Sequence, residues 1–72
     1  MARLRYFIEQ APDRFYDEPA AAKARARSLS KAVPDGVYVI AEEYDRDLRE
    51  YLPAGSIAYY GGRQDAREGI FA

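Results

Sequence analysis

Asp17-Glu18-Pro19-Ala20-Ala21-Ala22-Lys23-Ala24-Arg25-Ala26-Arg27-Ser28-Leu29-Ser30-Lys31-Ala32-Val33-Pro34-Asp35-Gly36-Val37-Tyr38-Val39-Ile40 is the stretch that decides the fold. Its first three residues open a helix. Asp17 can cap free amides, Glu18 suits the positive end of the helix dipole, and Pro19 lacks only a donor that the first turn leaves unused. At about 100° per residue, Ala22, Ala26, Leu29 and Val33 fall on one stripe, with Lys23, Arg27 and Lys31 as a basic row on the opposite side. Val33-Pro34-Asp35-Gly36 ends the helix, because proline cannot continue the ladder and glycine permits a positive φ. The spacing therefore predicts a helix from about Glu18 to Val33, followed at once by a β-branched strand.

Outward from this unit the period changes to two. Upstream, Leu4, Tyr6 and Ile8 alternate with Arg3, Arg5, Phe7 and Glu9, as in a half-buried strand. Ala11-Pro12-Asp13-Arg14 reads as a turn. Downstream, Val37, Val39, Ala41 and Glu43 face one side, while Tyr38, Ile40, Glu42 and Tyr44 face the other. Asp45-Arg46-Asp47 is the expected reversal. Arg49 to Leu52 and Ser56 to Tyr60 form the return strand, interrupted by Pro53-Ala54-Gly55 as either a bulge or a loop. Gly61-Gly62 ends the pattern. The expectation is an α+β fold, one helix packed on a small three-stranded sheet in β-α-β-β order, with a right-handed crossover. Residues 1–62 form the single domain. The polar tail 63–72 stays open between a helical turn, a short fourth strand and a frayed end.

A chain of 72 residues has a marginal core, burying about 60% of its unfolded surface. Such a core supplies about 3–5 kcal/mol unless a staple, metal or partner assists. Cys is 0 and His is 0, which excludes disulfides, Cys/His zinc sites and nucleophile–histidine couples. Eleven Lys+Arg against twelve Asp+Glu describe neither a polybasic nucleic-acid binder nor an acidic tail. The first residues hold no apolar run of secretory length, and the longest apolar run, Val37 to Ala41, is far short of the ~20 residues of a membrane span. The expected location is cytoplasmic, with no membrane partner.

Few residues offer chemistry. Glu42-Glu43-x-Asp45-x-Asp47 matches no calcium loop, and the two glutamates point to opposite faces of a strand, so they read as a solvated acidic turn. Gly61-Gly62-Arg63 lacks the longer phosphate-loop pattern and reads as a strand end. Three serines and two lysines without histidine or cysteine leave few activatable nucleophiles. The reading is therefore a protein that is not an enzyme and has no cofactor and no metal site.

What remains is surface. One helix covers one face of a sheet, so the opposite face retains some combination of Phe7, Tyr38, Ile40, Tyr44 and Tyr60. Of these, Phe7, Tyr38, Ile40 and Tyr60 are the self-association candidate, with the outward parity of each strand left open. The cover of that face is a second copy, or Ile70-Phe71 folded back over it, or nothing beyond the tolerance of tyrosine for half-exposure. The charge is also divided, with four cations against two anions over 17–34 and two against six over 35–54. The leading expectation is a protein–protein interaction module or accessory subunit acting as a homodimer. A nucleic-acid-binding accessory protein using Lys23, Arg27 and Lys31 is the alternative, disfavoured by a pI near 5.3. Small-ligand binding in a cleft between protomers is the third. The order of elements and the stretch Phe15 to Ile40 look like those of many short bacterial and phage proteins, and no residue in the stretch identifies a family.

Overall fold

The computed structural model describes residues 3–65. Strands β1 (Leu4–Ile8) and β2 (Ala11–Tyr16) precede helix α1 (Pro19–Ser30). Strands β3 (Val37–Asp45), β4 (Glu50–Tyr60) and β5 (Arg63–Gln64) follow it. The sheet has five strands in the order β2-β1-β3-β4-β5, every neighbouring pair antiparallel. The α+β class stands, but the expected three-stranded sheet in β-α-β-β order is corrected to five strands in β-β-α-β-β-β order. The parallel crossover joins β2 to β3, with β1 between them, and not the first strand to the next.

Both extra strands lie where the pattern predicts a proline turn or a glycine end. Residues 9 and 10 make the tight turn between β1 and β2. Pro12 lies within β2, an edge strand, where a missing amide donor breaks no second ladder. The register steps from Phe7↔Phe15 to Ile8↔Ala11, so Pro12, Asp13 and Arg14 fall inside an irregularity that needs no pairing from them. At the other end, Gly61 and Gly62 have φ of 58° and 85°, the doubly left-handed turn that matches hairpin twist. They connect β4 to β5, pairing Tyr60 with Arg63 and Tyr59 with Gln64. The first two residues of the expected tail thus belong to the sheet. Ile70-Phe71 lies outside the described residues.

The interruption at Pro53-Ala54-Gly55 is the bulge of the two readings. Ala41 pairs with Gly55 and Glu42 with Pro53, so Ala54 is the additional residue and β4 continues through it. At the hairpin tip, Asp45 Oδ1 accepts the amides of Asp47 and Leu48 at 2.9 and 3.0 Å, an Asx turn. Arg49 follows in the left-handed region at φ 56°.

The core lies between α1 and the sheet. Tyr6 and Ile8 from β1, Val37, Val39 and Ala41 from β3, and Ile57 and Tyr59 from β4 are buried against Ala22 and Ala26. The alanines let the helix axis approach closely, and the strands supply the volume. The helix is shorter than predicted, ending at Ser30, and its N-cap Glu18 makes no side-chain capping bond; the expected Asp17 cap is not formed. Ser30 accounts for the early end. Its hydroxyl donates to the Arg27 carbonyl at 2.8 Å and accepts the Gly62 amide at 2.8 Å. This bond competes with the helical ladder and ties the helix end to the β4–β5 turn. Among the described residues no helix is long and apolar enough to cross a membrane.

Candidate functional site

Alternation along the strands sends every second residue to the face away from α1. With Tyr6, Ile8, Val37, Val39, Ile57 and Tyr59 in the core, Arg5, Phe7, Tyr38, Ile40, Ala58 and Tyr60 project from the open face. The register then arranges them in rows. Phe15, Phe7, Ile40 and Ser56 lie side by side across β2, β1, β3 and β4. Arg5 lies opposite Glu42 in the next row, and Tyr44 opposite Tyr51 beyond it. On the other flank Tyr38 lies opposite Ala58, with its hydroxyl 2.8 Å from that of Tyr60.

The four residues expected at the uncovered face therefore share one face. Phe7 and Ile40 are cross-strand partners, and the Tyr38 and Tyr60 rings meet edge-on at 6.2 Å. Gly36 helps to position that pair. At φ 100° it adopts a conformation side chains disfavour, and a Cβ there would overlap the Tyr60 ring.

Two further contributors, Phe15 and Arg5, are not singled out by the sequence. Phe15 is on β2, of which the sequence predicts residues 11–14 as a turn, and it is 52% exposed. Its ring packs edge-on against Phe7 with centroids 5.8 Å apart. Arg5 is the centre of the face. Its guanidinium carbon sits 4.0 Å from the Phe15 centroid and 3.7 Å from the Tyr51 centroid, while its Nε donates to Glu42 Oε1 at 2.9 Å. One side chain so joins residues of β1, β2, β3 and β4. Alternating parity places Arg5 and Phe7 together. The stacking on Phe15 depends on β2, which has no local signal, and that on Tyr51 depends on a β4 register fixed only once Pro53-Ala54-Gly55 forms a bulge.

The basic row is placed differently from expectation. Lys23, Arg27 and Lys31 do not lie opposite the buried stripe; they flank it along the β4–β5 side. The reason is Ser30, buried at 2% exposure, which turns the stripe toward Ala22, Ala26 and Ser30 and leaves Leu29 and Val33 only partly buried. Arg27 lies 5.7 Å over the Tyr59 ring, and the Lys31 stem runs beside Gly62. Lys23 is half-buried. Burial pushes the Tyr59 phenol above its ordinary range, and the Arg27 guanidinium partly opposes this. Its hydroxyl donates to Gln64 Oε1 at 3.2 Å.

The remaining candidate chemistry disperses. Glu42 is on the open face and Glu43 on the helix side, and among the described residues no group of His, Cys, Asp or Glu converges as metal ligands would. The Gly62 amide, one of the donors an anion would need, is bonded to Ser30. What the arrangement offers is a broad, ring-lined surface with one ion pair at its centre. No family model matches the chain, and neither the curated proteins nor the solved structures contain a significant match to it.

Proposed function

We propose that the chain is a non-enzymatic interaction module that acts as a homodimer through the open face of its sheet. The observation that carries this reading is the gathering of Phe7, Phe15, Tyr38, Ile40 and Tyr60 on one face, with Phe15 52% and Tyr60 41% exposed. A contiguous apolar surface of this kind on a small domain marks an association site. The marginal core of a short chain supports it further, since a second copy adds burial that one helix cannot supply. The helix is a poorer self-docking surface, because Lys23, Arg25, Arg27 and Lys31 would bring like charges together. The packing of Arg27 on Tyr59 and of Lys31 beside Gly62 supports reading the basic row as the edge of the core.

Sedimentation across a wide concentration range tests the reading, together with thermal unfolding at each concentration. A dimer is expected, with a thermal midpoint that rises as the protein is concentrated. Ile40→Glu should yield a monomer or an unfolded chain. Phe15→Ser, at an exposed position, should yield a folded chain with weakened association. A monomer at the highest concentration, with a midpoint independent of concentration, overturns the proposal. Binding to single-stranded or duplex nucleic acid at low salt would instead favour the basic row as the working surface.

A further inference from the structure

The dimer reading leaves open how two copies are registered, and the centre of the open face answers this. We infer that the two-fold axis passes beside the Arg5–Glu42 pair, so that each Arg5 guanidinium also meets the Glu42 carboxylate of the second copy. The inference rests on the homodimer reading and gives it a specific contact.

Four observations lead there. First, Arg5 and Glu42 are register partners on β1 and β3, inner strands of the sheet, so the pair is central and the rings of Phe7, Phe15, Tyr44 and Tyr51 surround it. Second, the guanidinium carbon lies within 4.0 Å of the ring centroids of both Phe15 and Tyr51, and its Nε is given to Glu42. Its Nη nitrogens provide further donors in the same plane. With side-chain exposures of 32% for Arg5 and 17% for Glu42, both groups can be reached from the solvent side.

Third, a covered face removes water from these charges, and a charge losing water needs a counter-charge. A lone cation on a two-fold interface would meet itself. A neighbouring cation and anion meet as anion and cation, so the pair is self-complementary under the isologous operation. Four charges then alternate around the axis, and only one register of the two sheets achieves this. Fourth, the molecule measures 39 × 25 × 18 Å, and its broad face is comparable with the roughly 800 Å² per partner of a standard interface.

The test is a charge exchange between chains, read by sedimentation and by circular dichroism. Arg5→Glu gives a chain with two carboxylates at the centre, and Glu42→Arg gives one with two guanidinium groups. Each alone should dimerise at least tenfold more weakly than the parent chain. An equimolar mixture of the two should recover a dimer, because every contact across the axis is again between opposite charges. If the parent dimerises and both variants dimerise equally well alone, the axis lies elsewhere and the inference fails, while the dimer reading survives. If the parent is a monomer throughout, the dimer reading itself fails. Should either reversal prevent folding, Glu42→Gln decides. A folded chain with weakened dimerisation supports the contact, and an unchanged dissociation constant overturns it.

Discussion

The two faces of this sheet are held together by different physics. On the helix side, Ala22 and Ala26 meet Val37, Val39, Ile57 and Tyr59 at full burial, and cohesion comes from close packing and exclusion of water. On the open side the residues are larger and remain half-exposed. They cohere laterally, through ring-to-ring contacts and through Arg5 between Phe15 and Tyr51. The first face is complete within one chain and intolerant of change in volume. The second reaches full desolvation only under a partner, so its contribution should depend on concentration. That contrast shows why counting apolar residues cannot tell a core from an interface: Ile40 and Ile57 occupy the same sheet and differ in what lies above them.

The largest expected effect separates these two isoleucines. Ile57→Ala empties a wholly buried site and should cost about 2–5 kcal/mol, comparable with the entire stability of a chain this short. Circular dichroism should show it largely unfolded at room temperature. Ile40→Ala should cost less than half as much in dilute solution, and its penalty should grow as the protein is concentrated. Equal penalties at every concentration would break the distinction between the faces.

A smaller effect is expected at Ser30, the buried polar residue of the helix side. Ser30→Ala leaves the Gly62 amide without its acceptor and should cost about 1–3 kcal/mol, lowering the thermal midpoint by about 4–8 °C for each kcal/mol. Amide exchange at Gly62 should accelerate beyond the change at Val39. A variant with an unaltered midpoint would show that water replaces the hydroxyl there, and that the helix side is less sealed than its packing indicates.

The smallest effect concerns pH. The Tyr59 phenol is raised in the folded state, above an unfolded value near 10. The folded chain therefore holds that proton more tightly. Its contribution to stability is complete below about pH 10 and is lost as pH climbs through the folded value. Denaturant unfolding between pH 9 and 11 should show a steeper alkaline decline for the parent chain than for Tyr59→Phe. Parallel profiles would mean that the Tyr59 proton does not contribute to the alkaline decline.

Part of the open face is readable from alternation. Within each strand Phe7, Tyr38, Ile40 and Tyr60 are separated from their neighbours by the two-residue period, while the parity that turns outward is set by which face α1 covers. Arg5 and Phe7 share that parity, yet the cross-sheet role of Arg5 is hidden, because Glu42 is 37 positions away and Phe15 lies on a strand that Pro12 disguises. The basic row departs from the predicted position for a related reason. A helical stripe of Ala22, Ala26, Leu29 and Val33 is the more apolar choice, but Ser30 is held inward by its bond to Gly62, and the helix turns with it.

By itself the sequence determined the elements whose signals are local: the alanine-rich helix, the apolar β3 strand, the Asp45 turn and the alternation that separates the two faces. Those depend on helix propensity, periodicity and turn chemistry within a few residues, and they need no knowledge of neighbours. Tertiary structure alone decided that β2 exists, that the start of the tail forms the short strand β5 among its possible readings, where the buried stripe of the helix points, and that one arginine bridges four strands. Whether a proline or a glycine pair ends a strand depends on which side of it another strand lies. That is settled by pairing between distant segments, where the missing amide of Pro12 matters only if a partner requires it.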